Sequence, residues 1–232
     1  MSGECSPWPD LVVDLHTHSI HSDGQLAPAE LARRAFVKGC RYLGLSDHVD
    51  QSNLGQCLGA ALAAARELSG AIGLTLLAGV ELTHVPPGQI SDMVKRARSL
   101  GAVFVVVHGE SPVEPVAPGT NMAAIEAGAD ILAHPGLLTP REANLAAEKG
   151  VFLELSARGG HGFANGLVAR LARANGAQLL INSDAHAPED LMTADFQRTV
   201  GLGAGLSAEE YVALIAQATA FAQGLALKAA DR

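Results

Sequence analysis

Short apolar runs alternate along this chain with longer stretches in which apolar residues recur every three or four positions. The length of the runs and their content of Val, Ile and Leu are typical of strands buried on both faces of a parallel sheet. The predicted strands cover residues 11–15, 42–45, 74–80, 102–107, 130–133, 151–155 and 178–181.

Helix-like stretches lie between most of these runs. They cover residues 28–38, 58–69, 90–100, 122–127, 140–149 and 166–175, and only helical sequence follows the last predicted strand. A glycine just past a helix suits a left-handed C-terminal cap. Five of the predicted helices end in this way, before Gly39, Gly101, Gly128, Gly150 and Gly176.

The repeated order of strand, helix and glycine predicts the fold class. Seven such strands joined by right-handed crossovers favour a barrel over an open sheet. We therefore predict an α/β fold, a seven-stranded (β/α)7 relative of the TIM barrel, with an open doubly wound sheet as the alternative. No linker or break in composition divides the chain, so a single domain is predicted over residues 1–232.

The nine histidines of the chain are concentrated where predicted strands end. Residues two apart on a strand point to the same side, so Asp14, His16 and His18 are expected to face one way. Asp184 and His186 repeat this spacing after the last strand. Further His, Asp or Glu residues at strand ends are Asp47, His48, Glu81, His108 and His134.

These strand ends predict a metal site at the mouth of the barrel, where barrel enzymes build their active sites. One histidine at a strand end is more often a satisfied polar residue than a ligand. The whole set is different, because burying many imidazoles and carboxylates together is unfavourable unless they are paired or bind metal. By contrast, His21 and His84 are expected to be solvated loop residues, and Asp23, before Gly24, indicates only a turn.

The motifs in this order resemble the polymerase and histidinol phosphatase (PHP) family of metal-dependent phosphoesterases. Each motif is weak alone, but the ordered set is specific and spans nearly the whole chain. The resemblance implies a distorted seven-stranded, TIM-like barrel and a centre of three metal ions. The matching motifs are His16-Thr17-His18, Ser22-Asp23-Gly24, Ser46-Asp47-His48, Gly79-Val80-Glu81, Val107-His108, Ala133-His134-Pro135 and Ser183-Asp184-Ala185-His186.

The family pattern also implies how the ligands divide among the ions. Mixed imidazole and carboxylate ligands suit Zn, Mn or Fe. Two such ions can clamp a phosphoryl centre and activate a water as the nucleophile. The implied sets are His16, His18, Glu81 and Asp184 for the first metal, Glu81, His108 and His134 for the second, and Asp23, His48 and His186 for the third.

The implied activity is hydrolysis of a phosphate monoester of a small metabolite, as in histidinol phosphatases. A phosphodiesterase or 3′–5′ exonuclease with the same centre is the close alternative. A non-catalytic, metal-binding regulatory module is an alternative of another class, which the filled ligand set argues against. The net charge of −8 is spread without a basic block, so a small phosphorylated partner is favoured over a long nucleic acid.

The loop after the sixth predicted strand supplies candidate catalytic residues, although that strand carries no predicted ligand. Arg158 suits a two-pronged contact to a phosphate group, and His161 lies in the same glycine-rich loop. A solvated surface loop is the alternative. Asp14 and Asn182 are candidates for orienting ligands, and the proline-rich loop 110–119 is either a lid or rim wall, or an irregular surface loop.

Cysteine usage and hydropathy indicate a cytoplasmic protein without a membrane span. Cys5, Cys40 and Cys57 show neither a disulfide framework nor a metal-ligand spacing. The start of the chain lacks a signal-peptide pattern, and no apolar run reaches the roughly 18 residues of a membrane span. The most apolar segment, residues 211–227, is expected to be a packed helix.

Overall fold

A nearly closed parallel barrel of seven strands forms the centre of the molecule, in a computed structural model that describes residues 8–230. Each barrel strand pairs with the next one along the chain, except that a two-residue strand, β3, pairs with β4 beyond the end of β2. The strands are β1 (Val12–Asp14), β2 (Cys40–Leu45), β3 (His48–Val49), β4 (Thr75–Leu82), β5 (Phe104–His108), β6 (Ile131–Ala133), β7 (Phe152–Ser156) and β8 (Leu179–Asn182).

The first and last strands meet and nearly close the barrel. The main-chain N–H of Leu15 donates to Asn182 Oδ1 at 3.0 Å, and that of His18 donates to the carbonyl of Ala185 at 2.9 Å. This junction confirms the predicted seven-stranded α/β barrel and excludes the open sheet, whose edge strands would stay apart. The two-residue β3 was not predicted, since the second predicted strand covered residues 42–45 and His48 was placed just past its end.

Helices follow the strands in the predicted alternation. Their bounds differ from the predicted ones mostly at the first turn, where capping rather than periodicity decides. Thr139 and Glu142 form a reciprocal capping box at the start of α5, and Gly150 and Gly176 end α5 and α6 with φ of 68° and 74°. The helices are α1 (Pro28–Val37), α2 (Leu54–Leu68), α3 (Pro87–Ser99), α4 (Thr120–Glu126), α5 (Pro140–Lys149), α6 (Asn165–Asn175), α7 (Ala194–Gly203) and α8 (Ala208–Ala230).

Apolar side chains fill the barrel and close its lower end. The ring of Phe104 lies so close to Gly44 and Gly79 that a Cβ at either position would come within 2.6 Å or 2.4 Å of it. On α8, Ala218 and Ala222 belong to the same buried cluster as the interior residues of the barrel. This end is therefore filled with apolar side chains, whereas the predicted ligands gather at the opposite mouth.

The C-terminal helix α8 packs one face against the barrel, as expected of residues 211–227. Its buried residues include Tyr211, Leu214 and Leu225. Gln217 and Gln223 interrupt its apolar residues, but by length and composition alone this helix could cross a membrane. Cys40 and Cys57 are buried free thiols, whereas Cys5 lies outside the described residues.

Candidate metal centre

Nine side chains predicted as ligands converge at the C-terminal mouth of the barrel. They come from the ends of β1, β4, β5, β6 and β8, from β3, and from the loop after β1. Most are buried, but the side chains of Asp23, His48 and His186 are 58%, 24% and 13% exposed. One side of the cluster is therefore open to solvent, and the other lies against the barrel core. The nine residues are His16, His18, Asp23, His48, Glu81, His108, His134, Asp184 and His186.

Glu81 lies at the centre of the cluster, at the end of β4, and its side chain is fully buried. Its Oε1 is 3.3 Å from His16 Nε2 and 3.2 Å from His108 Nδ1, and its Oε2 is 2.6 Å from His48 Nδ1. Burial alone would raise the pKa of Glu81, but the charges of His16 and His48 hold it well below its usual range. Glu81 is thus an ionised carboxylate shared by several histidines, as a bridging ligand must be.

Asp184 provides a second carboxylate, from the loop after β8. Its Oδ1 is 3.1 Å from His18 Nε2 and 3.6 Å from His16 Nε2, and its Oδ2 is 3.8 Å from His134 Nε2. Burial raises the pKa of Asp184 to about 7. A cation between Asp184 and these rings would favour the ionised form and offset the cost of burial.

The more exposed side of the cluster holds Asp23, His48 and His186. Asp23 Oδ1 is 3.3 Å from His186 Nε2 and 3.6 Å from His48 Nε2. The ring of His18 stacks 4.1 Å from both histidine rings, and one of its nitrogens lies within reach of the same point. Asp23, which the sequence alone marked only as a turn, thus lies beside the two histidines with which the family resemblance grouped it.

A separate carboxylate holds the loop that carries Asp23. Asp47 accepts hydrogen bonds from the N–H of Ser19 at 2.7 Å and from the hydroxyls of Ser19 and Ser22 at 2.8 Å. A Cβ at Gly24 would lie 2.3 Å from the carbonyl oxygen of His18, so only glycine allows the loop to fold back so closely. Asp47 thus acts on the backbone of this loop.

Backbone strain is concentrated at this mouth. Within residues 8–230, the only non-glycine residues with positive φ are His84, His134 and Asp184, with φ of 52°, 25° and 54°. Such conformations are unfavourable for residues with a Cβ and persist where surrounding contacts impose them. His134 and Asp184 are predicted ligands, so the strained backbone is found where it directs ligand side chains into the cluster.

The donor atoms of this cluster fit metal ions better than they fit one another. Among the described residues, twelve buried side-chain nitrogen and oxygen atoms lack a hydrogen-bond partner, and nine of them belong to six predicted ligands. Buried polar atoms left unpaired are costly, and a cation would satisfy them together. The six ligands are His16, His18, Glu81, His108, His134 and Asp184.

The protonation of the histidines points the same way. Burial lowers the pKa of His18 and His134 well below the usual range, so these rings are neutral, as metal ligands must be. Burial would also lower the pKa of His108, but the nearby carboxylates of Glu114 and Glu81 outweigh it and raise the pKa to about 10. Without metal, a proton on His108 supplies positive charge that these carboxylates require.

Two carboxylates of the site were missed by sequence reasoning. Glu154 lies in β7, the strand predicted to carry no ligand, and its Oε2 is 2.8 Å from His16 Nδ1. Glu114, in the loop 110–119, is 2.9 Å from His108 Nε2 and 3.4 Å from His161 Nε2. The signal for Glu154 was a single acidic residue inside an otherwise apolar strand, whereas Glu114 gave none.

The two loop histidines, His21 and His84, differ in their contacts with the site. His84, expected to be solvated, is half-exposed but stands at the edge of the site, where its Nε2 is 3.9 Å from Glu114 Oε2. His21 is tied through its main chain, which accepts a hydrogen bond from Cys57 Sγ. The loop 110–119 forms a wall of the mouth through Glu114, as one of the two predicted alternatives had it.

Arg158 and His161 both reach the mouth. Arg158 Nη1 donates to the carbonyl of Asp184 at 3.0 Å, lies 2.8 Å from His186 Nδ1, and leaves its side chain 33% exposed. His161, in a short 3-10 helix (His161–Ala164), is buried, and its ring centroid lies 4.2 Å from that of His134. Arg158 therefore borders the more exposed side of the cluster and His161 the more buried side.

Asp14 and Asn182, the candidates for orienting ligands, bond to the main chain around the site, and Asn182 Nδ2 also donates to Glu154 at 2.8 Å. Asp14 Oδ1 accepts from the backbone N–H of Ser183 at 3.1 Å, and Asn182 Oδ1 accepts from that of Leu15. These bonds join the ends of β1 and β8. The ring of His16 is held instead by Glu154.

Comparison with other proteins identifies relatives. No protein family model matches the chain. The uncharacterized protein MJ1295 of Methanocaldococcus jannaschii is 47% identical over 199 residues, which cover 85% of this chain and 91% of that protein. The chain belongs to the MJ1295 family. The DNA polymerase/3′-5′ exonuclease PolX of Bacillus subtilis is 27% identical over 192 residues, 75% of this chain and 34% of PolX. A 5′-3′ exoribonuclease of Haemophilus influenzae is 40% identical over 70 residues, 30% of this chain and 23% of that enzyme.

Solved structures share the barrel of this MJ1295-family protein. An amidohydrolase aligns with a TM-score of 0.59 at 14% identity, over 94% of this chain and 75% of that one. A candidate histidinol phosphatase of Listeria monocytogenes aligns with a TM-score of 0.56 at 11% identity, over 78% of this chain and 97% of that one. A two-domain protein of Bacteroides vulgatus contains a predicted PHP-like metal-dependent phosphoesterase. It aligns with a TM-score of 0.51 at 18% identity, over 83% of this chain and 58% of that one. At these identities the likeness establishes the fold alone.

Proposed function

We propose that this protein is a metal-dependent phosphoesterase of the PHP type that hydrolyses the phosphate monoester of a small metabolite. The observation that carries the proposal is the cluster of nine predicted ligands around Glu81, with unpaired buried nitrogen and oxygen atoms facing one another. His16, His18, Glu81 and Asp184 would hold one ion, Glu81, His108 and His134 a second, and Asp23, His48 and His186 a third, as Zn, Mn or Fe.

The residues around the centre suit a phosphate ester. When bound, the ions would activate a water and polarise the phosphoryl oxygens. Arg158 would bind phosphate oxygens from the exposed side, because its side chain is 33% exposed beside Asp184. His161 and Glu114 would close the opposite side and limit the access of water. The chain's own contribution is to hold these charges fixed before the substrate arrives.

A phosphodiesterase or exonuclease is the second candidate function. Both PolX and the exoribonuclease are named for cleaving nucleic acids, which favours this reading, although the chain covers only 34% and 23% of them. The net charge of −8 favours a small substrate over a long polynucleotide. A small substrate therefore remains the primary proposal.

The deciding experiment compares hydrolysis of an aryl phosphate, a bis-aryl phosphodiester and an aryl amide by the purified protein, alongside elemental analysis. Phosphate release from the monoester, with more than one equivalent of Zn, Mn or Fe, is the expected result. Faster diester cleavage would favour the exonuclease. Amide hydrolysis would favour the chemistry of the amidohydrolase with the same fold, and bound metal without turnover would favour a regulatory module.

Alanine in place of Arg158 is expected to lower kcat/KM about 30-fold, the rate equivalent of losing one charge-assisted contact of about 2 kcal/mol. Arg158→Lys should recover only part of the loss, because a point charge cannot reproduce the two-pronged contact. The metal content of each variant must be measured in the same samples, since Arg158 also contacts Asp184 and His186. If the fully metallated Ala variant keeps a kcat/KM within threefold of wild type, Arg158 is a surface residue without a role in substrate binding.

A further inference from the structure

A fully buried carboxylate lies behind the predicted metal ligands, on the strand that supplies none of them. Glu154 has no exposed surface and reaches the mouth from the middle of β7. Its Oε2 is 2.8 Å from His16 Nδ1 and accepts a hydrogen bond from Asn182 Nδ2 at 2.8 Å. Its Oε1 accepts from the main-chain N–H of His134 at 3.3 Å.

The contacts of Glu154 define which ring nitrogen of His16 carries a proton. Asn182 must present its NH2 group to Glu154, because its Oδ1 already accepts from the N–H of Leu15. Glu154 Oε2 is therefore an acceptor, and His16 Nδ1 must be the donor. When metal displaces the second proton, the lone pair of His16 therefore lies on Nε2, which faces Glu81 Oε1 at 3.3 Å and Asp184 Oδ1 at 3.6 Å.

Glu154 differs from the two carboxylate ligands beside it, because both of its oxygens have hydrogen-bond partners. The neighbouring Glu81 Oε1 and Asp184 Oδ1 are among the buried atoms without a partner, whereas both oxygens of Glu154 accept hydrogen bonds. Glu154 could be grouped with His16 and His134 as a metal site by distance alone. The 2.8 Å contact to His16 Nδ1 is that of a hydrogen bond, and a metal would have to break it.

We propose that Glu154 is a positioning residue, which fixes His16 with Nδ1 protonated and Nε2 directed at the metal, and holds the strained backbone of His134. The inference rests on the proposed metal centre. Carboxylates behind metal-binding histidines orient the ring and raise its basicity. The negative charge of Glu154 is buried, and a cation bound to His16 would compensate it.

Glutamine cannot replace this carboxylate, because all three partners of Glu154 are donors. An amide oriented with its oxygen toward His16 and Asn182 would turn its NH2 against the N–H of His134. The opposite orientation would turn the NH2 against Asn182 and force His16 to accept a hydrogen bond at Nδ1, which would place the ring proton on Nε2. Either arrangement leaves a buried donor facing a donor or places the lone pair of His16 on the wrong nitrogen.

The test measures the affinity for zinc by competition with a chelator in wild type, Glu154→Gln and Glu154→Asp. The Gln variant is expected to bind about 10- to 100-fold more weakly, the usual effect of losing such a partner. The Asp variant, which keeps the charge but shortens the reach, should bind between Gln and wild type. Glu142→Gln is the matched control, since Glu142 is also buried but bonds to Thr139 at the start of α5. Its zinc affinity should equal that of wild type.

Long-range proton–nitrogen correlation NMR of the zinc-loaded wild type tests the same point without a variant. The expected spectrum shows His16 protonated at Nδ1 and bound to zinc through Nε2. A proton on Nε2 would overturn the inference even if Glu154→Gln failed to fold, and so would zinc affinity of the Gln variant within threefold of wild type. Wild-type protein that binds no zinc would instead overturn the proposed function, and this inference with it.

Discussion

Glutamine in place of Glu81 is expected to lower kcat by at least about 1,000-fold, because one carboxylate serves two of the proposed ions. Glu81 Oε1 lies within 3.3 Å of both His16 Nε2 and His108 Nδ1, so these histidines depend on one oxygen for their shared negative charge. A neutral amide has the same shape but would weaken the binding of both ions together. The loss should exceed that at Arg158, which touches the centre from one side.

Folding should survive this substitution. Glu81 Oε1 makes no hydrogen bond within the described part of the chain, and an amide fills the same space. Circular dichroism and thermal unfolding of metal-free protein should therefore match wild type within a few degrees. His21→Ala is the matched control, a mouth-side histidine outside the ligand pattern, and should keep nearly full activity. A fully metallated Glu81→Gln variant with near-normal kcat would rule out the bridging role.

Removing the metal is expected to lower the midpoint of thermal unfolding by on the order of 10 °C. A ligand present at about 1,000 times its dissociation constant stabilises the folded state by about 4 kcal/mol. For a protein of this size each kcal/mol shifts the midpoint by roughly 2–4 °C. The physical source is the set of buried donors that face one another, which a cation satisfies and which otherwise remain unpaired.

Calorimetry with and without a strong chelator, followed by restoration with zinc, measures this shift. The stabilisation by metal should grow as the pH rises from 6 to 8, since metal must displace protons from His16 and His108, whose pKa values are raised in the metal-free protein. Glu81→Gln should respond much less to the chelator than wild type. A midpoint that moves by less than 2 °C in wild type would show that these residues stabilise one another without metal.

Most of the barrel could be predicted because strand and helix periodicities are local properties of the chain. The seven predicted strands and six predicted helices recur in the structure with end shifts of a few residues. The short strand β3 was not predicted, and the break before it coincides with hydrogen bonds between Ser46 and a distant part of the chain. The Ser46 hydroxyl accepts from the N–H of Thr17, which lies beyond the end of β1. The main-chain N–H of Ser46 donates to the carbonyl of Thr17.

The sequence alone determined that imidazoles and carboxylates would meet, because parallel strands of one barrel all end at the same mouth. It assigned His16, Glu81 and Asp184 to that mouth from their places at strand ends. Only the tertiary structure decided what stands behind and above them. Glu154 and His16 are 138 residues apart, and they meet because closure of the barrel brings β7 near β1. Glu114 reaches His108 through a loop without periodicity. Such contacts depend on how distant elements pack, and a local pattern cannot specify them.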